Sequence, residues 1–289
     1  MNWSFDTQGP IGADVDIAAG SAHFIAGERA ETVVTVNPAN PASRLDVEAA
    51  EKARVEFSGA RLSVVVPKPG GLMAYISFRD WGLVDVTVEL PTGSSIDAKT
   101  GFGELRADGE FGVVNAKSAA GDVRFDQIRA GRLVSAAGRL TLTSSGGDIE
   151  LVTAGDMEVG LIGGSAQVKN LNGRTRIGEV NGALKVKSSN GDISVDRAHS
   201  DVHGRTANGN IAIGELTRGT VTLATASGAI DIGIAEGTSA FVDVGTQYGK
   251  VRNGLEPTSG PGSGEKVEIR ARTAFGDIDI HRSSPSENR

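Results

Sequence analysis

The chain of 289 residues has no cysteine. Disulfide frameworks, thiolate metal sites and cysteine nucleophiles are therefore excluded. Aromatic residues make up only 4%, so the core must be aliphatic. An excess of basic charge is also missing: 29 Lys and Arg against 36 Asp and Glu give a formal charge of −7. A nucleic-acid partner is not expected of such a chain, which lacks the usual basic field. Long hydrophobic runs are absent too. The most apolar stretch, Leu62 to Phe78, is broken by Pro67, Lys68, Pro69 and Gly70-Gly71. Nothing approaches the roughly 18 continuous apolar residues of a membrane helix. The opening Met1-Asn2-Trp3-Ser4-Phe5-Asp6 has neither a basic nor an apolar signal region, so a soluble cytoplasmic protein is expected. The motifs Gly-x-Ser-x-Gly, the phosphate loop and His-Glu-x-x-His do not occur.

Glycine is what the chain has in plenty, with 40 residues. Glycines stand at 103, 112, 121, 131, 138, 147, 155, 164, 173, 182 and 191, and the beat resumes at 209, 219, 228 and 237. Asp201 fills the slot that lacks one. The spacing is about nine residues, and internal periods of this kind mark solenoids. Short alternating runs follow each glycine, such as Asp192-Ile193-Ser194-Val195 and Asn210-Ile211-Ala212-Ile213. Alternation of period two predicts half-buried strands. Asn-Gly recurs at 172–173, 181–182, 190–191 and 208–209. The pair also suits a hairpin, but so even a beat favours stacked coils with Asn side chains bonding up and down in ladders.

A second period lies beneath the first. Three residues before alternate glycines stand Thr100, Ser118, Ser135, Asn170, Ser188, Thr206 and Thr225. The intervening slots carry Gly109, Ile128, Leu161, Glu179, Ala198, Leu216 and Ile234, and Ser144 and Val152 break the rule. The repeat is therefore about 18 residues, with two unlike strands in each coil. An all-β chain is predicted: a β-solenoid, like a single-stranded β-helix, of ~18-residue coils with an N-terminal β-rich cap.

The cap is placed at residues 1–92, the solenoid at 93–281 and a flexible tail at 282–289. Within the cap, strands are predicted at Thr32–Val36, Val55–Phe57, Leu62–Val66 and Val84–Leu90, with a turn at Ser58-Gly59. Asp46–Lys52 reads as one short helix with strong formers and an acidic start. Pro257 to Gly264 reads as a loop before a last strand pair, Val267–Ala271 and Asp277–Ile280.

These residues resemble a known family. Val47-Glu48-Ala49-Ala50-Glu51 through Arg54-Val55-Glu56-Phe57-Ser58-Gly59 is similar to the opening of the bacterial "putative adhesin" family, domain of unknown function 4097. So are Val86-Thr87-Val88-Glu89-Leu90-Pro91 with Gly93, the Asn190-Gly191-Asp192-Ile193 repeats and the closing Arg270 to Ile278. The resemblance covers roughly residues 5–281. It implies a β-strand-repeat solenoid and brings no catalytic or ligand residues.

The candidates for chemistry read more simply as structure. His199 and His203 flank Asp201, but four extended residues span about 13 Å, too far for both rings to share an ion. His23 and His281 are isolated. Gly-Asp pairs at 121–122, 147–148, 155–156, 191–192 and 276–277 suit strand starts better than the dense ligand sets of calcium repeats. Acid pairs such as Asp192 with Asp231 are expected by chance on a charged face. Trp81 and Phe78 flank Arg79-Asp80, either as a plug of the solenoid end or as a partner contact. The charges read as a solvated, mixed surface. No catalytic, cofactor-binding or metal-binding residue is predicted, and neither a cofactor nor a small-molecule substrate. The expected function is a non-catalytic, adhesin-like scaffold presenting a rigid surface to a protein partner. A self-assembling β-helix polymer and a carbohydrate-active enzyme are the alternatives.

Overall fold

A computed structural model describes residues 1–68, 81–256 and 264–283. The chain forms two compact units, Met1–Gly146 and Gly147–Arg289. Each is a β-solenoid of the coil length read from the sequence.

The first unit contains β1 (Asn2–Asp6), β2 (Gly12–Gly27), β3 (Glu31–Pro38), α1 (Arg44–Glu51), β4 (Arg54–Ser58), β5 (Arg61–Val66), β6 (Val84–Pro91), β7 (Ser95–Phe102), β8 (Leu105–Ala120), β9 (Val123–Ser135) and β10 (Leu140–Ser145). The long strands turn a corner within themselves. The first half of β2 pairs in parallel with β5 and β7, and its second half with β6 and the start of β8. β8 and β9 likewise run through two stacks, and β10 lies on the first half of β9. Three antiparallel pairings finish the unit: β1 with β3, β3 with β6, and β4 with β5. The Ser58-Gly59 hairpin and the four predicted strands of this region are present. Helix α1 is pinned by the buried Asp46 carboxylate, which accepts from Ser43 Oγ, Asn40 N and Leu83 N at 3.0–3.1 Å.

Residues 12–27 carry no strand in the sequence reading, yet β2 is a complete coil held between β5/β6 and β7/β8. The division at 92/93 follows pattern; the division at 146/147 follows packing.

The second unit contains β11 (Ile149–Thr153), β12 (Met157–Ile162), β13 (Ala166–Asn172), β14 (Thr175–Val180), β15 (Leu184–Asn190), β16 (Ile193–Ala198), β17 (Val202–Asn208), β18 (Ile211–Leu216), β19 (Gly219–Ser227), β20 (Ile230–Ile234), β21 (Ser239–Tyr248), β22 (Val251–Asn253), β23 (Lys266–Phe275) and β24 (Ile278–Arg282). Every pairing is parallel and joins a strand to its equivalent one coil away. Leu184, for example, lies opposite Val202, and Ile193 opposite Ile211. Odd strands build one stack and even strands the other. Inward Leu184, Val186, Ile193 and Val195 are buried, and the same positions repeat coil after coil. The last coils are out of chain order: β23 and β24 insert between β19/β20 and β21/β22. The predicted final strand pair is therefore present but is not the end of the stack.

The two sequence periods have one physical cause. At one corner of each coil the chain turns through a glycine that lies against the glycine one coil below. Gly209 has φ +145°, and a Cβ on it would stand 2.3 Å from the Gly191 carbonyl oxygen. The buried hydroxyl three residues earlier reaches the glycine carbonyl of the neighbouring coil. Ser135 Oγ donates to Gly121 O at 2.8 Å, Thr225 Oγ1 to Gly209 O at 3.0 Å and Thr273 Oγ1 to Gly228 O at 3.0 Å. These hydroxyls satisfy carbonyls that the turn leaves outside the strand ladders.

Candidate functional site

The residues that look reactive in the sequence are engaged in the lattice. Asp122, Asp148, Asp156, Asp192 and Asp277 of the Gly-Asp turns each accept a main-chain N–H at 2.8–2.9 Å, in each case from the facing coil. Asp201 does the same for Thr220 N at 2.7 Å. These carboxylates are staples between coils.

The two histidines flanking Asp201 diverge. His199 Nε2 lies 3.0 Å from Glu179 Oε1 and Nδ1 lies 3.3 Å from Thr217 Oγ1, whereas His203 faces outward on β17. Glu179 is held below the usual carboxylate range, chiefly by the Arg197 guanidinium, with burial opposing and His199 assisting. His23 Nε2 sits 2.6 Å from Asp108. Burial works against ionisation of Asp108, but hydrogen bonds from Arg106 and His23 outweigh it and lower its pKa. Among the described residues, no group of three or more His, Asp or Glu side chains is placed to hold a metal ion.

Two shallow depressions lie in the second unit. One is lined by Lys185, Asp201, His203, Thr220 and Thr222, the other by Asn181, His199, Thr217, Arg218 and Glu265. Each offers a single carboxylate, whereas glycoside cleavage ordinarily needs a pair about 5–9.5 Å apart. Asp192 and Asp231 are used separately, by Asn210 N and by His281. Trp81 packs edge-on against Phe102 with centroids 5.8 Å apart. Phe78, Arg79 and Asp80 lie outside the described residues.

What remains is surface. At the end of the second unit, β21 and β22 pair only with β23 and β24 among the described strands, leaving their other edges open. Val242 and Val244 point inward, in register with buried Ile269 and Ala271, but are only half-buried because no further coil among the described residues covers them. Val251 lies opposite buried Ile278 and is 44% exposed. Phe241 is 65% exposed, and Tyr248 stacks on Phe275 at 5.0 Å with both rings in solvent. The rings continue a corner column in which Asn190 Nδ2 donates to Asn172 Oδ1 at 2.9 Å and Asn208 Nδ2 to Asn190 Oδ1 at 3.0 Å. The asparagine ladder expected from the sequence is thus present.

Exposed charges of both signs stand on both stacks, but the outward positions of three adjacent odd strands include no acid. On the even stack each exposed arginine has a partner: Arg176 with Asp196 at 3.5 Å, Arg197 with Glu179 at 2.6 Å and Arg252 with Asp279 at 3.0 Å. On the odd stack, the outward positions of β13, β15 and β17 include Gln167, Lys169, Lys185, Lys187, His203 and Arg205. A linear sequence cannot reveal this cluster until the register is known.

The family model described as Toastrack DUF4097 matches residues 23–284. The chain belongs to this family. Among solved structures, the family member is similar to a "putative adhesin" of Bacteroides fragilis at 12% identity, covering 97% of this chain and 96% of that one, with a TM-score of 0.41. A "putative adhesin" of Parabacteroides distasonis is 11% identical, with 96% of each chain covered and a TM-score of 0.31. No curated protein matches the chain. Among the described residues, no helix is long and apolar enough to cross a membrane.

Proposed function

We propose that this Toastrack protein is a non-catalytic scaffold that presents the end coil of its second unit to a protein partner. The observation that carries the reading is the open edge of β21. An exposed strand edge with apolar side chains is a template for an added strand, and natural proteins ordinarily blunt such edges. Here the edge is ten residues long and carries Phe241, with Val251 exposed beside it. A partner strand would satisfy the free main-chain groups of β21, while its side chains cover Val242 and Val244. The even, short turns and the consumption of the turn carboxylates by main-chain N–H groups favour a scaffold over an enzyme.

The test compares the native chain with Phe241→Asp and Val251→Lys as bait in native lysate, with light scattering on the purified protein. A discrete partner held by the native chain and lost by both variants supports the proposal. Equal capture by all three overturns it. Concentration-dependent polymers abolished by the same variants would instead make a second copy the occupant.

A further inference from the structure

The outer face of β13, β15 and β17 holds Lys169, Lys185, Lys187, His203 and Arg205 with no carboxylate among its outward positions. Lys169, Lys187 and Arg205 stand in register on successive strands. Neighbouring strands are about 4.8 Å apart, so three cations of like sign are stacked at that spacing. Like charges directly opposite one another on a sheet are destabilising. Only Lys169 has an acidic partner, Glu150 at 3.1 Å; among the described residues Lys185, Lys187 and Arg205 form no ion pair. A chain of net charge −7 has ample acid to neutralise them, and does so on its other face. The charge on β15 and β17 is therefore unspent.

We infer that this face binds an extended acidic segment of a protein, with alternate carboxylates set over Lys185 and Lys187 and over Arg205 on the next rung. Two features select a peptide. Residues i and i+2 of an extended chain project to one side about 6.6 Å apart, the same interval that separates Lys185 from Lys187 along β15. The face carries no Phe, Tyr or Trp, the rings on which bases stack. The inference rests on the reading of the chain as a protein-binding scaffold and names the chemistry its partner brings.

The experiment is fluorescence anisotropy on the full chain with a labelled peptide alternating Glu and Thr, and with its Gln-Thr counterpart. The acidic peptide is expected to bind and to weaken as salt rises; the neutral one is expected not to bind. Lys187→Glu with Arg205→Glu should weaken binding at least about tenfold. The melting temperature of that double variant should be little changed, because a carboxylate at position 187 gains attraction to Lys169 while the facing pair at 187 and 205 stays of like sign. Phe241→Asp should leave peptide binding intact, so failure of the end-coil proposal is separable from failure of this one. Equal binding of the neutral peptide, retained binding by the double variant, or loss of binding in Phe241→Asp overturns the inference. Tighter binding of a sulfated oligosaccharide or a single-stranded oligonucleotide than of the acidic peptide overturns it as well.

Discussion

Ser188 is the exception that explains the corner. By position it should donate to Gly173 O, as Thr206 and Thr225 do to Gly191 and Gly209. The longer Asn170 side chain reaches that carbonyl first, at 3.2 Å, and Ser188 Oγ is left buried without a partner. Ser188→Ala should therefore be neutral or slightly stabilising. Thr225→Val, similar in shape, should cost about 1 kcal/mol because the Gly209 carbonyl loses its donor. Urea titration of both variants checks the contrast. Gly209→Ala should be far worse, on the order of 3 kcal/mol or more, since its Cβ collides with backbone that is itself stacked. This much is legible in the sequence, because the alternation of Ser or Thr with apolar residues every nine positions is the ladder itself. The role of the Gly-Asp carboxylates is not legible, because their donors lie 17 or more residues away.

At the scale of elements, local alternation finds strands but does not order them. β2 escapes because its run Gly12-Ala13-Asp14-Val15-Asp16-Ile17-Ala18-Ala19-Gly20 is rich in Ala and Gly, which strands disfavour. Its corner glycine, Gly20, also lies outside the nine-residue beat. Residues 239–253 and 266–282 each form a coil, and nothing local in the sequence says that the later one sits inside the earlier one. The consequence is measurable by hydrogen exchange. Amides of β23 and β24, covered on both sides, should exchange at least about tenfold more slowly than those of β21 and β22. Similar rates in the two coils would contradict the insertion.

At the scale of the whole molecule, one ion pair should register in the pH dependence of stability. His281 Nδ1–H donates to Arg282 O at 2.8 Å, and Asp231 stands beside its other nitrogen. The Arg282 carbonyl chiefly, with Asp231 assisting and burial opposing, raises the His281 pKa. The stabilisation is complete below the ordinary value of about 6.5 and is lost as pH rises through the higher folded value. It should amount to less than about 1 kcal/mol, because both side chains are about half exposed. His281→Gln should flatten the fall in urea midpoint between about pH 6 and 8. A fall of unchanged slope would assign it elsewhere. The candidate surfaces were the least legible feature at this scale. Lys187 and Arg205 are 18 residues apart and meet only through the coil register.

The docking account depends above all on β21 being the outermost rung, and the absence of cysteine allows a clean test. Thr222 lies opposite Arg270, while Asp243 lies one strand further out. Disulfides form where Cα atoms are about 4.4–6.8 Å apart. Thr222→Cys with Arg270→Cys should cross-link on mild oxidation, and Thr222→Cys with Asp243→Cys should not. The reverse result would put β23 at the end of the stack and remove the edge to which a partner is proposed to bind.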